Sequence, residues 1–356
     1  MSNPGTSRTY GLAVVGCGVI GPRHAEVAEA LPNARFVACT DIIPDRAKSL
    51  AEAHGGEPEP DLDALLSRDD VDVVSVCVPS GLHAEIGVRV AEAGKHLVVE
   101  KPIDISLGAA DRLIGAVKKA GVKMTVISQH RFDPGLVELR QLLDEGRLGR
   151  LVLGDARTKW YRSQAYYDSG DWRGTWALDG GGALMNQGVH YTDLLRWCMG
   201  PVSEVMALTA TEAHKMETED VALAVMRFSS GALGTLEAST AVFPGFRERL
   251  EISGAEGTVV VEDGAIVVRE LASERGEIGL YGSKVASEAT SSAPSAASNP
   301  AGISNDAHAS QVSDFLTAID AGREPLMTGE EARNALELVL AVYESARRGG
   351  PVSLPL

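Results

Sequence analysis

Residues 12–30, LAVVGCGVIGPRHAEVAEA, confine the fold more than any other stretch. The apolar run at 12–15 reads as a buried strand. It passes directly into Gly16-Cys17-Gly18-Val19-Ile20-Gly21, and a helical pattern begins behind it. Strand, glycine loop and helix in that order are the fingerprint of a βαβ unit that cradles a dinucleotide. Gly16 permits the tight turn, Gly18 admits a pyrophosphate to the backbone, and Gly21 lets the helix lie close to the strand. Val19 and Ile20 sit between them, at a helix N-terminus that favours phosphate. A second strand, 36–40, ends at Asp41, 20 residues after Gly21, where an acid can bind ribose hydroxyls. Ile42-Ile43-Pro44 follow, with no cation for a 2′-phosphate, so NAD is favoured over NADP. A helix-capping aspartate is the structural alternative.

More βα units come next. Residues 71–78 (VDVVSVCV) lead to Pro79-Ser80-Gly81-Leu82-His83. Residues 97–99 run into Glu100-Lys101-Pro102, and 122–128 form a further strand. Helical patterns between them imply a parallel, doubly wound sheet, a Rossmann domain spanning 8–128. Pro79, His83, Glu100 and Gln129 fall at the carboxyl edge of that sheet, where ligands bind in such folds. His83 reads equally well as a helix-starting residue with no ligand. A cis Lys101–Pro102 bond is compatible with the sequence.

From 129 to 356 the pattern changes. A helix at 135–145 leads to a strand-like LVLGDARTKWYR and an aromatic, polar loop, SQAYYDSGDWRGTWALDGGG. A helix follows at 183–199. Alternating segments then recur from 202 to 270, separated by turn signals, as in a mostly antiparallel sheet. Residues 271 to about 305, rich in Ser, Ala and Gly, read as a long surface loop. Helices at 309–321 and 329–348 close the chain, the last a candidate to pack back on the first domain. The expected class is α/β: an N-terminal Rossmann sheet plus a C-terminal α+β domain with a large open sheet. One face of that sheet lacks helices of its own. Burial against a second copy is the expected solution, giving a homodimer or homotetramer.

The segment GGALMNQGVHYTDLL places Asn186 and His190 four residues apart, on one face of a helix. Gly180, Gly181 and Gly182 precede it and suit a ligand that must approach the backbone. Asp193 is placed to orient His190, or to face solvent. Lys101, at the edge of the parallel sheet, would lie beside a nicotinamide, where desolvation and a cationic ring both lower a lysine pKa. Lys159, Trp160 and Arg162, with Trp172 and Arg173, would suit a polyol: flat rings stack on sugar faces, and cations bind hydroxyls or acidic groups.

The glycine loop, EKP and the GGG-to-histidine helix together resemble the glucose–fructose oxidoreductase / inositol dehydrogenase / MocA (Gfo/Idh/MocA) family, across nearly the whole chain. The resemblance implies an NAD(P)-dependent oxidoreductase acting at a hydroxyl or ketone carbon of a sugar, glycoside, nucleotide sugar or cyclitol. The family's lysine carries over to Lys101 and its helix histidine to His190. Many members have Asp four residues before that histidine. Here Asn186 stands there, which can hydrogen-bond a hydroxyl but cannot accept a proton. Lys101 and His190 share the proton transfer in this reading, with no order between them. The rival is a non-catalytic dinucleotide sensor or protein-interaction module on the same fold.

Bulk charge narrows the partners. With 49 acidic against 33 basic residues the formal charge is −16, which repels nucleic acids and anionic membranes. No apolar run reaches a membrane span. Four cysteines without Cys-x-x-Cys spacing argue against a metal site and for a reduced, cytoplasmic chain.

Overall fold

The computed structural model describes residues 8–275 and 305–356. Six parallel strands make the first sheet: β1 (Tyr10–Val15), β2 (Ala34–Thr40), β3 (Glu57–Pro58), β4 (Val73–Val76), β5 (His96–Val99) and β6 (Met124–Val126). Their order is β3-β2-β1-β4-β5-β6. The central strands β1 and β4 are buried at every residue, which explains their unbroken Val-rich runs. The two-residue β3 lies at the sheet edge, where proline is tolerated and too little pattern exists to reveal a strand.

The described residues divide into two compact units. One runs to Ile127 and takes in Asn305–Arg333; the other takes in Ser128 onward and Asn334–Leu356. Helix Asp306–Ala321 therefore joins the first unit. Its apolar stripe, Val312, Phe315 and Leu316, enters the same core as Tyr10, Leu12 and Val14. Gln311 Nε2 donates to the Val126 carbonyl at 2.8 Å, and Tyr10 donates its hydroxyl to Asp320 at 2.6 Å. Amphipathic periodicity shows that a helix covers something, not which sheet it covers. The final helix, Gly329–Arg348, begins in the first unit and ends in the second. The loop expected from 271 to about 305 lies mostly outside the described residues.

The second unit is built on eight strands: β7 (Leu151–Lys159), β8 (Val202–Ala210), β9 (Val221–Phe228), β10 (Leu233–Ser239), β11 (Arg249–Gly254), β12 (Gly257–Glu262), β13 (Ala265–Leu271) and β14 (Val352–Ser353). The order is β13-β12-β11-β7-β10-β9-β8-β14, and only the β7–β10 pair is parallel. Helix Val189–Met199 packs on one face. A Cβ on Gly154 would come within 3 Å of Leu195 and Met199, so the bare glycine sets how close that helix sits. The opposite face carries Met206, Leu208, Leu223 and Val225 in the open, since strict alternation sends their neighbours inward.

Candidate active site

In the first unit, Val15, Val76 and Val99 stand in register across β1, β4 and β5. Gly16, Cys77 and Glu100 therefore leave the sheet along one carboxyl edge. Backbone bonds continue the alignment past the strands: Gly16 N to Thr40 O (2.9 Å), Cys77 N to Val15 O (2.8 Å) and Glu100 N to Val76 O (3.1 Å). Gly16 has φ 94°, and a Cβ there would lie 2.4 Å from the Cys77 carbonyl oxygen. At Gly18 an added Cβ would meet nothing within 4 Å, so the backbone is open to a ligand. Asp41 accepts the Cys17 amide at 2.7 Å and the Ile43 amide at 2.8 Å, which pins its carboxylate beside the loop. Val19 and Ile42 are almost fully exposed. An open loop backbone at the start of helix Gly21–Ala30, with a fixed carboxylate next to it, fits a dinucleotide without a 2′-phosphate.

Glu100 is buried. Its Oε1 lies 2.9 Å from His24 Nε2, and its Oε2 accepts the Lys101 amide at 3.1 Å. The other ring nitrogen of His24 is 3.1 Å from Ser75 Oγ. Burial disfavours the charged form of His24, but Cys77 and Glu100 outweigh it and push the pKa up to about 10. Burial likewise opposes the Glu100 carboxylate, yet His24 brings it down to about 2. The result is an internal ion pair joining the first turn behind the glycine loop to the strand end that carries Lys101. His83 is 1% exposed, with its ring nitrogens 2.6 Å from the Pro102 carbonyl and 2.9 Å from that of Val78. Its ring braces two edge loops from inside, and burial pushes its pKa down. Pro79 is partly exposed and opens the turn before helix His83–Glu92; the Lys101–Pro102 bond is cis.

In the second unit a wide π-type turn, Ala183–Gly188, precedes helix Val189–Met199. Asn186 and His190 are partly exposed on this segment. Asn186 Nδ2 donates to Asp179 at 2.7 Å, and Asn186 Oδ1 accepts from Gln187 at 3.3 Å. Gln187 and Arg173 both donate to the Tyr166 hydroxyl, at 3.1 and 2.8 Å. Two guanidinium groups lie on the Tyr166 ring, Arg173 at 4.4 Å and Arg162 at 5.6 Å. Arg162 also covers Trp160 and Arg173 covers Trp172. Arg162 is 9% exposed, and desolvation lowers its pKa. Gln129 is buried, and its Oε1 has no hydrogen-bond partner among the described residues.

The comparisons with known proteins agree across both units. A model described as an oxidoreductase family with an NAD-binding Rossmann fold matches residues 10–128, and a GFO/IDH/MocA C-terminal domain model matches 136–260. The WlbA dehydrogenase of Bordetella pertussis, solved with NADH and UDP-GlcNAcA, is 31% identical, with a TM-score of 0.85, over 99% of this chain and 100% of that one. The chain belongs to the Gfo/Idh/MocA family of oxidoreductases. Another Gfo/Idh/MocA-like neighbour, WlbA of Chromobacterium violaceum in complex with the same two molecules, is 33% identical at a TM-score of 0.84, over 100% and 99%. Myo-inositol 2-dehydrogenase of Thermotoga maritima is 27% identical over 352 residues, 96% of this chain and 98% of the other. The chain is thus an NAD-dependent oxidoreductase, and the binding-only alternative is set aside.

Some sequence expectations for this Gfo/Idh/MocA chain change on contact with its structure. Two of the three glycines face their own protein: a Cβ on Gly181 would lie 2.1 Å from the Tyr343 hydroxyl, and one on Gly182 would lie 1.8 Å from the Glu219 carbonyl oxygen. Lys159 pairs with Glu237, because strand alternation turns it away from Trp160 and Arg162. Asp193 serves neither His190 nor solvent. It is buried and takes Arg131 Nε at 2.8 Å and Nη2 at 2.6 Å. Residues not singled out from sequence are Tyr166, Asp179, Gln187, Glu219 and His130. Glu219 accepts the Gly182 amide (3.0 Å), the Leu184 amide (2.8 Å) and the Tyr343 hydroxyl (2.9 Å), and burial raises its pKa to about 7. Tyr166 and Asp179 in the aromatic loop and Gln187 beside Asn186 were within readable reach; Glu219, 37 residues from Gly182, was not.

Proposed function

We propose that this protein is a sugar dehydrogenase in which Lys101 and His190 move the proton of the reacting hydroxyl. The reaction class is oxidation of a CH–OH carbon, or the reverse reduction, on a sugar, glycoside, nucleotide sugar or cyclitol. Bound NAD supplies the hydride-accepting ring. Gly16, Gly18, Val19, Ile20 and Gly21 hold its pyrophosphate, and Asp41 takes its ribose hydroxyls. The observation that carries this reading is the register of β1, β4 and β5, which sets the glycine loop and Glu100-Lys101-Pro102 on one sheet edge. His24 and Glu100 then act as the brace behind Lys101 rather than as ligand contacts. Asn186, fixed by Asp179, orients a substrate hydroxyl.

Arg162 and Arg173 around Tyr166 support a substrate that bears an anionic group, a carboxylate above all. The UDP-GlcNAcA held by both WlbA structures is consistent with it. The exposed stripe Met206, Leu208, Leu223 and Val225 supports association of two or four copies through the second sheet. Four buried free cysteines suit a reducing cytoplasm, and among the described residues no helix is long and apolar enough to cross a membrane.

The test is NADH formation, followed by fluorescence, over a panel of sugar acids, nucleotide-linked sugar acids, neutral sugars and inositols. Turnover concentrated in the acids is expected. Equal turnover of neutral sugars would remove the anionic-group reading, and no turnover of any member would remove the dehydrogenase reading.

A further inference from the structure

His190 stands against a second histidine. The ring of His130, from the short turn Gln129–Phe132, lies 5.1 Å from that of His190 at 86°, an edge-to-face contact. His130 Nδ1 is 2.7 Å from Asp133 Oδ2, and 13% of its side chain is exposed. The turn is itself fixed, since Arg131 next door is locked to Asp193 of the same helix as His190. We propose that His130 is a positioning residue for His190: Asp133 fixes its ring, and its positive charge keeps the neighbouring imidazole neutral, able to accept the substrate proton. This rests on the reading of His190 as a proton acceptor.

The surroundings favour that charge. Burial opposes it, but the hydrogen bond and charge of Asp133, with Glu248 and Asp263 beyond, raise the His130 pKa to about 8. Titratable and charged groups around the contact include Asp133 and Arg131 on the turn, Tyr191 and Asp193 on the helix of His190, and Glu248, Glu262 and Asp263 from the strand ends, with Arg162 facing Glu248. Glu248 is wholly buried, and burial raises its pKa to about 7. Its Oε1 and the Tyr191 hydroxyl have no hydrogen-bond partner among the described residues. A full cation one ring-contact away disfavours a second cation at His190 by roughly a factor of two hundred in proton affinity, at the screening typical of half-buried groups.

The experiment is an NMR titration of ring-labelled histidines in the parent, His130→Gln and Asp133→Asn proteins. The chain has eight histidines, and loss of a signal in His190→Gln assigns His190. In His130→Gln the His190 midpoint should rise by about two pH units. In Asp133→Asn, which leaves the ring but weakens its charge, it should rise by less. The second variant reports even if the first does not fold. An unchanged His190 midpoint in both folded variants, or in Asp133→Asn alone if His130→Gln does not fold, overturns the proposal. A kinetic control separates the two ideas. If His190→Gln turns over substrate like the parent, the proton-acceptor role falls; if it is inactive while the midpoint does not move, only the inference falls.

Discussion

The two units hold their key residues by different means. In the first, a continuous backbone ladder aligns Val15, Val76 and Val99, and three loops emerge together. In the second, side chains brought from afar do the holding. Glu219 reaches back 37 residues to the Gly182 amide and is met by Tyr343, 124 residues on. Asp179 fixes Asn186, and Asp193 fixes Arg131. A register-built site tolerates change at most side chains but not at its few glycines. A network-built site loses geometry whenever one polar member goes, because a buried partner is left unsatisfied.

Removing Lys101 tests the first half most severely. Lys101→Ala should lower kcat about a thousandfold, in the range of proton-transfer groups, with NADH affinity by fluorescence titration nearly unchanged. Parent-like turnover would place the chemistry elsewhere than on the register-built edge.

The His24–Glu100 pair is the exception that sharpens the contrast, a network element inside the first unit. Glu100, with its pKa brought down to about 2, contributes stability above its ordinary range and loses it as pH falls through 2. His24, raised to about 10, contributes fully below its ordinary pKa and loses it as pH rises through 10. The pair is at full strength between the two ordinary values, roughly pH 4.5 to 6.5. His24→Gln should cost about 3 kcal/mol in urea unfolding at pH 6, as for a broken buried pair, and clearly less at pH 10. A cost that does not change with pH would mean the pair is neutral.

A smaller effect is expected in the second unit. Arg173→Gln should lower kcat/KM for an acidic sugar about thirtyfold, the loss of one charge-assisted contact, and leave a neutral analogue unaffected. An equal fall for both would make Arg173 part of the loop's own fold. The mildest change is Asp41→Ser, which should shift preference toward NADP about tenfold, the scale of one charge-assisted contact to the ribose, without loss of turnover. No shift would count against the ribose contact.

This contrast also decides what could be read from the chain. The glycine loop, Asp41 and the Val-rich strands follow local periods, and the parallel sheet came with them. The open sheet was legible through its alternating segments, but in VALAVMRF both faces are apolar, so the exposure of Leu223 and Val225 was not. Lys159 could have been placed by the same period-two rule. Gly181 and Gly182 could not, because what crowds them, Tyr343 and Glu219, is fixed only by tertiary packing. The helix Asp306–Ala321 shows the same limit, since its apolar stripe fits any apolar sheet face. Asn186 looked like the loss of a carboxylate, yet Asp179 brings one to within a hydrogen bond of it from seven residues upstream.

The claim on which the rest depends is that one sheet edge carries both the coenzyme and the amine that works beside it. A crystal structure of the NADH complex measures this directly. The account predicts the pyrophosphate on Gly16–Gly21, the ribose on Asp41, and Lys101 Nζ within about 3–6 Å of the nicotinamide's reactive face, directly or through one water. A nicotinamide bound with the Lys101 ammonium turned away and out of that reach would contradict it.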